Sequence, residues 1–152
     1  EVWIRAESMA AGYWRDGALL PLVNEQGWFA TRDRGEWHDG RLTILGRMDN
    51  LFFSGGEGIQ PEALERVIAT HPQVSQAFVV PLDDAEYGQR PVAVVECEPG
   101  TDITLLPEWV QGRLARFEQP VHWLALPSEL KNGGIKISRQ ALKQWVNALL
   151  RG

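Results

Sequence analysis

The sequence predicts an α+β fold, a β-rich opening segment followed by a short sheet flanked by helices. Three observations carry this. Asp39-Gly40 sits inside Glu36–Ile44, the signature of a two-residue hairpin, because a type I′ turn needs positive φ at both central positions. Apolar residues recur at helical spacing after Pro61, after Leu106 and after Ser138. Between those stretches lie β-branched runs, Val74 to Val80 and Val92 to Cys97, bounded by turn residues.

The elements follow in order. Glu1-Val-Trp-Ile-Arg-Ala6 alternates like a strand. A strand needs a partner, and with no initiator Met or preceding turn this opening reads as a chain entered in mid-sheet, a piece of a larger protein. Around Gly46-Arg47-Met48-Asp49-Asn50 polar residues interrupt the apolar pattern. A domain boundary is placed there, separating residues 1–46 from 47–152. Beyond it come a strand at Leu51 to Phe53, a glycine loop Ser54-Gly55-Gly56-Glu57-Gly58, and a helix opened by Pro61 with Leu64, Val67 and Ile68 on one face. Pro72 is expected to stop that helix. Asp83 to Gly88 reads as the loop between the two β-branched strands. Leu106, Trp109, Val110, Leu114 and Phe117 form a second helical stripe ending before Pro120. Val121 to Leu126 reads as a third strand. Ser138 is a candidate N-cap for a last helix that buries Leu142, Trp145, Val146 and Leu149.

Composition narrows the function classes. The chain has 152 residues, a net charge of −5 and 44% hydrophobic residues, which is ordinary globular composition with length enough for a core. Without a Lys/Arg stripe it is a poor phosphate-backbone binder, so nucleic acid is not expected as a partner. No apolar run approaches the roughly 20 residues of a membrane span, and no signal peptide is read at the start. The single cysteine, Cys97, cannot form an internal disulfide, and His38, His71 and His122 lack zinc-ligand spacing. A reducing, cytoplasmic setting is expected, with Cys97 a small strand hydrophobe.

Chemistry has few candidates. No serine nucleophile elbow and no phosphate loop of the G-x-x-x-x-G-K-[ST] type is present. Only three of the 15 basic residues are lysines, Lys131, Lys136 and Lys143. Lys136 follows Asn132-Gly133-Gly134-Ile135 just before a helix, where an ammonium on a flexible stem can reach a phosphate or a developing oxyanion, or simply be solvated surface. Gly55 and Gly56 can let a ligand approach backbone or merely turn the chain. Asp33 and Asp49 suit ribose hydroxyls and equally suit turns. The seven tryptophans, Trp14, Trp28 and Trp37 among them, are expected as packing anchors rather than substrate stackers.

Taken together these pieces resemble a known family. The runs Met9-Ala-Ala-Gly12-Tyr13-Trp14, Gly27-Trp28-Phe29-Ala30-Thr31-Arg32-Asp33 and Gly46-Arg47-Met48-Asp49, then Ser54 to Pro61 with Glu65, Gly88-Gln89-Arg90-Pro91-Val92 and Gly134-Ile135-Lys136-Ile137-Ser138-Arg139, are similar in order and spacing to the C-terminal third of adenylate-forming acyl-CoA ligases. Within the family the Ser54 to Pro61 run, Thr31-Arg32-Asp33 and the Gly134 to Arg139 tail point to one bacterial ligase in particular.

The resemblance implies a two-step reaction. A small carboxylate is adenylated with Mg2+-bound ATP, and coenzyme A then displaces AMP. It implies that residues 1–46 end a large N-terminal adenylation domain, otherwise missing from this chain together with the phosphate loop and the acyl pocket. Residues 47–152 would form a mobile lid. Asp33 would hold the ribose hydroxyls and Arg47 the nucleotide. Asp49 would be the hinge, Lys136 would bridge carboxylate and phosphate, and Gly55 and Gly56 would line the path of coenzyme A. Mg2+ would find its ligands mainly outside this chain. The sequence departs from the family at Arg32, where glycine is usual, at Ile135, also usually glycine, and at Gly58, usually asparagine. Two other readings stay open: an adenylation domain serving a carrier protein, and a non-catalytic lid-like binding module.

Overall fold

The computed structural model describes residues 1–131 and 136–151. It divides into two compact units, Glu1–Asp49 and Asn50–Gly152. The division follows Asp49 rather than Gly46, because the strand that ends the first unit runs on through Arg47 before the chain turns at Met48–Asn50.

The first unit is built from three antiparallel pairs. Strands β1 (Trp3–Ile4) and β4 (Phe29–Ala30) pair with each other, as do β2 (Gly12–Arg15) and β3 (Ala18–Pro21). Strands β5 (Asp33–His38) and β6 (Arg41–Arg47) make the Asp-Gly hairpin. Asp39 at φ 48° and Gly40 at φ 74° supply the two left-handed positions that the turn requires. The opening strand is shorter than its alternation predicts. Its partner is β4, and Val2 extends the pairing by donating to the Asp33 carbonyl and accepting from Thr31.

One expectation fails in this unit. Trp14 and Trp37 are 74% and 72% exposed, and Trp28 is also exposed, so none of the three is a packing anchor. The unit is made of three separate two-stranded pairs, and its own residues leave these rings uncovered. The expectation holds better in the second unit, where Trp109, Trp123 and Trp145 all pack against a core.

The second unit has three layers around one five-stranded sheet. Strand β7 (Phe52–Ser54) turns at Gly55-Gly56 into β8 (Glu57–Ile59), and α1 (Pro61–Ile68) follows. Strand β9 (Val74–Asp84) forms a long hairpin with β10 (Gly88–Cys97). The short helix α2 (Leu106–Val110) precedes β11 (His122–Ala125), which lies parallel to β10, and α3 (Arg139–Arg151) closes the fold. Alternation along the central strands sorts side chains between two cores. Val79, Ala93 and Val95 meet Leu64 and Ile68 of α1 and Leu106 and Val110 of α2. Val80, Val92 and Val94 meet Leu142 and Val146 of α3 on the opposite face.

Several local expectations change. The segment Ser54 to Gly58 is a tight hairpin rather than an open loop, because glycines at φ 58° and 87° make the two-residue turn and leave Glu57 to Ile59 free to pair back. The helix α1 ends at Ile68, before Pro72, with the N–H groups of Ala69, Thr70 and His71 turning back onto the helix carbonyls. The stripe from Leu106 to Phe117 is not one helix. It breaks after Val110, where Gln111 becomes extended and Gly112 takes φ 74°, yet Leu114 and Phe117 still reach the core. The spacing reported burial correctly and conformation wrongly. On α3, Leu149 is exposed and Leu150 packs in its place. Ser138 caps as expected, its hydroxyl accepting from the Ala141 N–H at 3.3 Å. No helix among the described residues is long and apolar enough to cross a membrane.

Candidate functional site

Three of the residues singled out in the sequence converge at the end of the first unit. Strands β5 and β6 place Asp33 and Arg47 opposite each other in register, and the turn after β6 brings Asp49 alongside. Arg47 Nη1 lies 3.5 Å from Asp33 Oδ1 and donates to the Thr31 carbonyl at 2.9 Å, while its Nη2 donates to Asp49 Oδ2 at 2.9 Å. One guanidinium thus ties together the two carboxylates and the strand end. Asp33 is also fixed from its backbone, because its N–H donates to the Thr31 hydroxyl at 3.1 Å.

Arg32 completes the cluster. Its Nη2 and Nε donate to Asp49 Oδ1 at 2.7 and 3.3 Å, so Asp49 accepts from a different arginine on each oxygen. The backbone of Arg32 sits at φ 64°, a left-handed conformation that costs a non-glycine residue about 1 kcal/mol or more. Arg32 therefore occupies a backbone conformation that glycine adopts most readily. The arginine side chain adds an ion pair that glycine cannot make. Sequence reasoning marked Arg32 only as a departure from the family and missed it as a partner of Asp49.

The Arg32 guanidinium, and after it Arg47, holds the Asp49 carboxyl below the usual carboxylate range. A carboxyl depressed in the folded state contributes stability above its unfolded value near about 3.9, and that contribution fades as pH falls through the lower folded value. All three side chains are about half exposed, so salt should screen the effect. We expect Arg32→Gly to raise the Asp49 titration midpoint, followed by carboxyl NMR in the 152-residue chain. A midpoint left unchanged by the substitution would remove Arg32 as the cause.

The second unit positions the other candidates. The Gly55-Gly56 corner is anchored by the Gly55 N–H, which donates to the Tyr87 carbonyl at 2.9 Å. A Cβ at Gly55 would stand 3.2 Å from the Tyr87 ring, whereas one at Gly56 would meet open space. Glycine is needed at both for backbone conformation, and at Gly55 also for room. Lys136 is exposed on the approach to α3. Gly133, Gly134 and Ile135, part of the same motif, lie outside the described residues. Burial, and secondarily Glu96, pushes the Cys97 thiol up, and the side chain packs against the first core. Cys97 is a strand hydrophobe with little thiolate character.

The chain as a whole is similar to known proteins. Residues 63–133 match the AMP-binding enzyme C-terminal domain. Its relatives include the 2-succinylbenzoate–CoA ligases of Salmonella typhimurium, 71% identical over 96% of this chain, and of Escherichia coli, 68% identical over 96%. Each match takes in 32% of the relative, so the chain spans about a third of the length of the curated relatives it matches. A solved E. coli MenE variant with bound OSB-AMS superposes with a TM-score of 0.89 at 65% identity, covering 97% of this chain and 32% of that one. The bacterial ligase suggested by the Ser54 to Pro61 run, the Thr31-Arg32-Asp33 variant and the Gly134 to Arg139 tail is this one, o-succinylbenzoate–CoA ligase.

Proposed function

We propose that this chain is the C-terminal part of an ATP-dependent acid–thiol ligase that converts o-succinylbenzoate to its coenzyme A thioester in the cytoplasm, a step of menaquinone biosynthesis. The observation that carries this is the 71% identity to a 2-succinylbenzoate–CoA ligase across nearly the whole chain. In this reading residues 1–46 end the large adenylation domain and 47–152 are the lid.

In the first half-reaction a carboxylate oxygen of the acid attacks the α-phosphorus of ATP. The bond to the bridging oxygen breaks, and pyrophosphate leaves. Negative charge gathers between two groups that already repel, and the Lys136 ammonium neutralises it there. Asp33 accepts hydrogen bonds from the ribose hydroxyls, and Arg47 adds a donor to the nucleotide while holding Asp33 and Asp49 in place. In the second half-reaction the lid turns about Asp49, and the thiol of coenzyme A attacks the acyl carbon and expels AMP. The Gly55-Gly56 corner then gives the pantetheine arm a passage free of side chains. Mg2+ would accompany ATP. Among the described residues no three His, Cys, Asp or Glu side chains converge as a metal site requires, so no step is assigned to the ion on this chain.

The test joins this chain to the N-terminal two-thirds of the Salmonella relative. The chimera should form thioester from o-succinylbenzoate, ATP and free coenzyme A. The 152-residue chain alone should release no pyrophosphate, because a lid supplies only part of a site completed by closure. Transfer to a carrier protein but not to free coenzyme A would favour a carrier-dependent adenylation domain. A chimera indifferent to the loss of both Asp33 and Lys136 would mark a non-catalytic module.

A further inference from the structure

Lys136 is exposed, yet the chain just after it is held firmly. Ile137 packs into the second core, Ser138 caps α3, and Arg139, the first residue of that helix, reaches across the fold. Its Nη1 donates to Glu65 Oε1 at 2.5 Å and its Nη2 to Glu65 Oε2 at 3.1 Å, a two-pronged pair between residues 74 apart in sequence. Nη1 also donates to the Val79 carbonyl at 2.8 Å. Glu65 Oε1 in turn accepts the Val79 N–H at 2.7 Å. Both side chains are largely covered, at 26% and 15% exposed.

Val79 explains why the pair matters. Strand β9 is paired on one side by β10, and its other edge at Val79 has one donor and one acceptor to satisfy. Glu65 takes the donor and Arg139 the acceptor, so the two charges and the backbone of one residue form a closed ring linking α1, β9 and the start of α3. On α1, Glu62 stands one turn before Glu65, with Oε1 at 4.0 Å from Arg139 Nη2, and accepts from the Asn50 amide at 2.5 Å. Asn50 is the first residue of this unit. The same face of α1 therefore anchors both the residue after the proposed hinge and the segment carrying Lys136.

We propose that Glu65 and Arg139 are a positioning pair for Lys136, setting where its ammonium sits when adenylation occurs. The proposal rests on the reading of Lys136 given above. A flexible four-carbon stem reaches a given point reliably only if its Cα is fixed. A planar guanidinium gripped on both sides fixes the backbone three residues away in a way that a point charge does not.

The test uses the chimera and follows each half-reaction separately in single turnovers. Glu65→Gln should slow adenylation by about tenfold or more, since displacing a group by an ångström costs rates of that order, and should leave thioester formation from preformed acyl-adenylate within about twofold of the parent. Arg139→Lys, which keeps the charge and loses the fork, should fall between the two. In a Lys136→Ala background, Glu65→Gln should slow adenylation no further, because a positioning residue acts only through the group it positions. Equal losses in both half-reactions, or a full additional loss in the Lys136→Ala background, would show a structural role and overturn the proposal, as would a Glu65→Gln enzyme with unchanged adenylation. If Lys136→Ala itself leaves adenylation intact, the reading of Lys136 fails. If only the Glu65 and Arg139 variants are silent, that reading stands and the positioning role falls.

Discussion

Replacing Lys136 by alanine in the chimera is expected to slow adenylation on the order of 10²-fold or more, equivalent to about 3 kcal/mol of transition-state stabilisation, as removal of a preorganised electrostatic donor does. Attack of one anion on another concentrates charge, and a single ammonium at the point of contact acts on the transition state more than on separated reactants. Thioester formation from supplied acyl-adenylate and coenzyme A should be spared, because in the two-pose scheme Lys136 has left the reacting atoms by then. Fold stability should change little, since the side chain is exposed. Single-turnover measurement of each half-reaction checks the split. Unimpaired adenylation would return Lys136 to the status of solvated surface.

The second large effect is expected at Asp49. Proline there fixes φ and removes a backbone donor in the short turn Met48–Asn50, where a lid must change its backbone angles to rotate. The chimera carrying Asp49→Pro should keep one half-reaction and lose most of the other, because one pose is held and the other forbidden. The substitution also removes the carboxylate that Arg32 and Arg47 grip, so Asp49→Ala is the necessary control. Alanine should weaken both half-reactions mildly and alike, leaving the asymmetry to proline. Equal loss of both half-reactions in a folded Asp49→Pro protein would remove Asp49 as the pivot.

Much of the fold was legible residue by residue. Asp39-Gly40 announced its hairpin because few residue pairs tolerate two consecutive left-handed positions. Leu64 and Ile68, and later Leu142 and Val146, showed their buried faces through helical spacing alone. Where spacing misled, a competing local rule had prevailed. Gly112 ended α2 although the apolar stripe continued, and Gly55-Gly56 folded a loop back into a strand. The tryptophans of the first unit misled for another reason. An aromatic ring is a packing anchor only where a second layer exists to receive it, and composition carries no information about layers.

The candidate site divides along the same line. Asp33, Arg47, Asp49, Gly55, Gly56 and Lys136 were singled out because each belongs to a short run whose order and spacing resemble the family. What the sequence by itself determined is therefore local: turn chemistry, the buried faces of α1 and α3, and the motif order that resembles the C-terminal part of AMP-binding enzymes. The tertiary structure alone decided which charges meet. Arg32 reaches Asp49 across 17 residues, and Arg139 reaches Glu65 across 74, where these two side chains together satisfy the free edge of β9 at Val79. Local sequence sets backbone dihedrals and periodicity, which act over a few residues. An ion pair between distant side chains exists only after the sheet and its two cores have assembled and held the helices at one distance from each other.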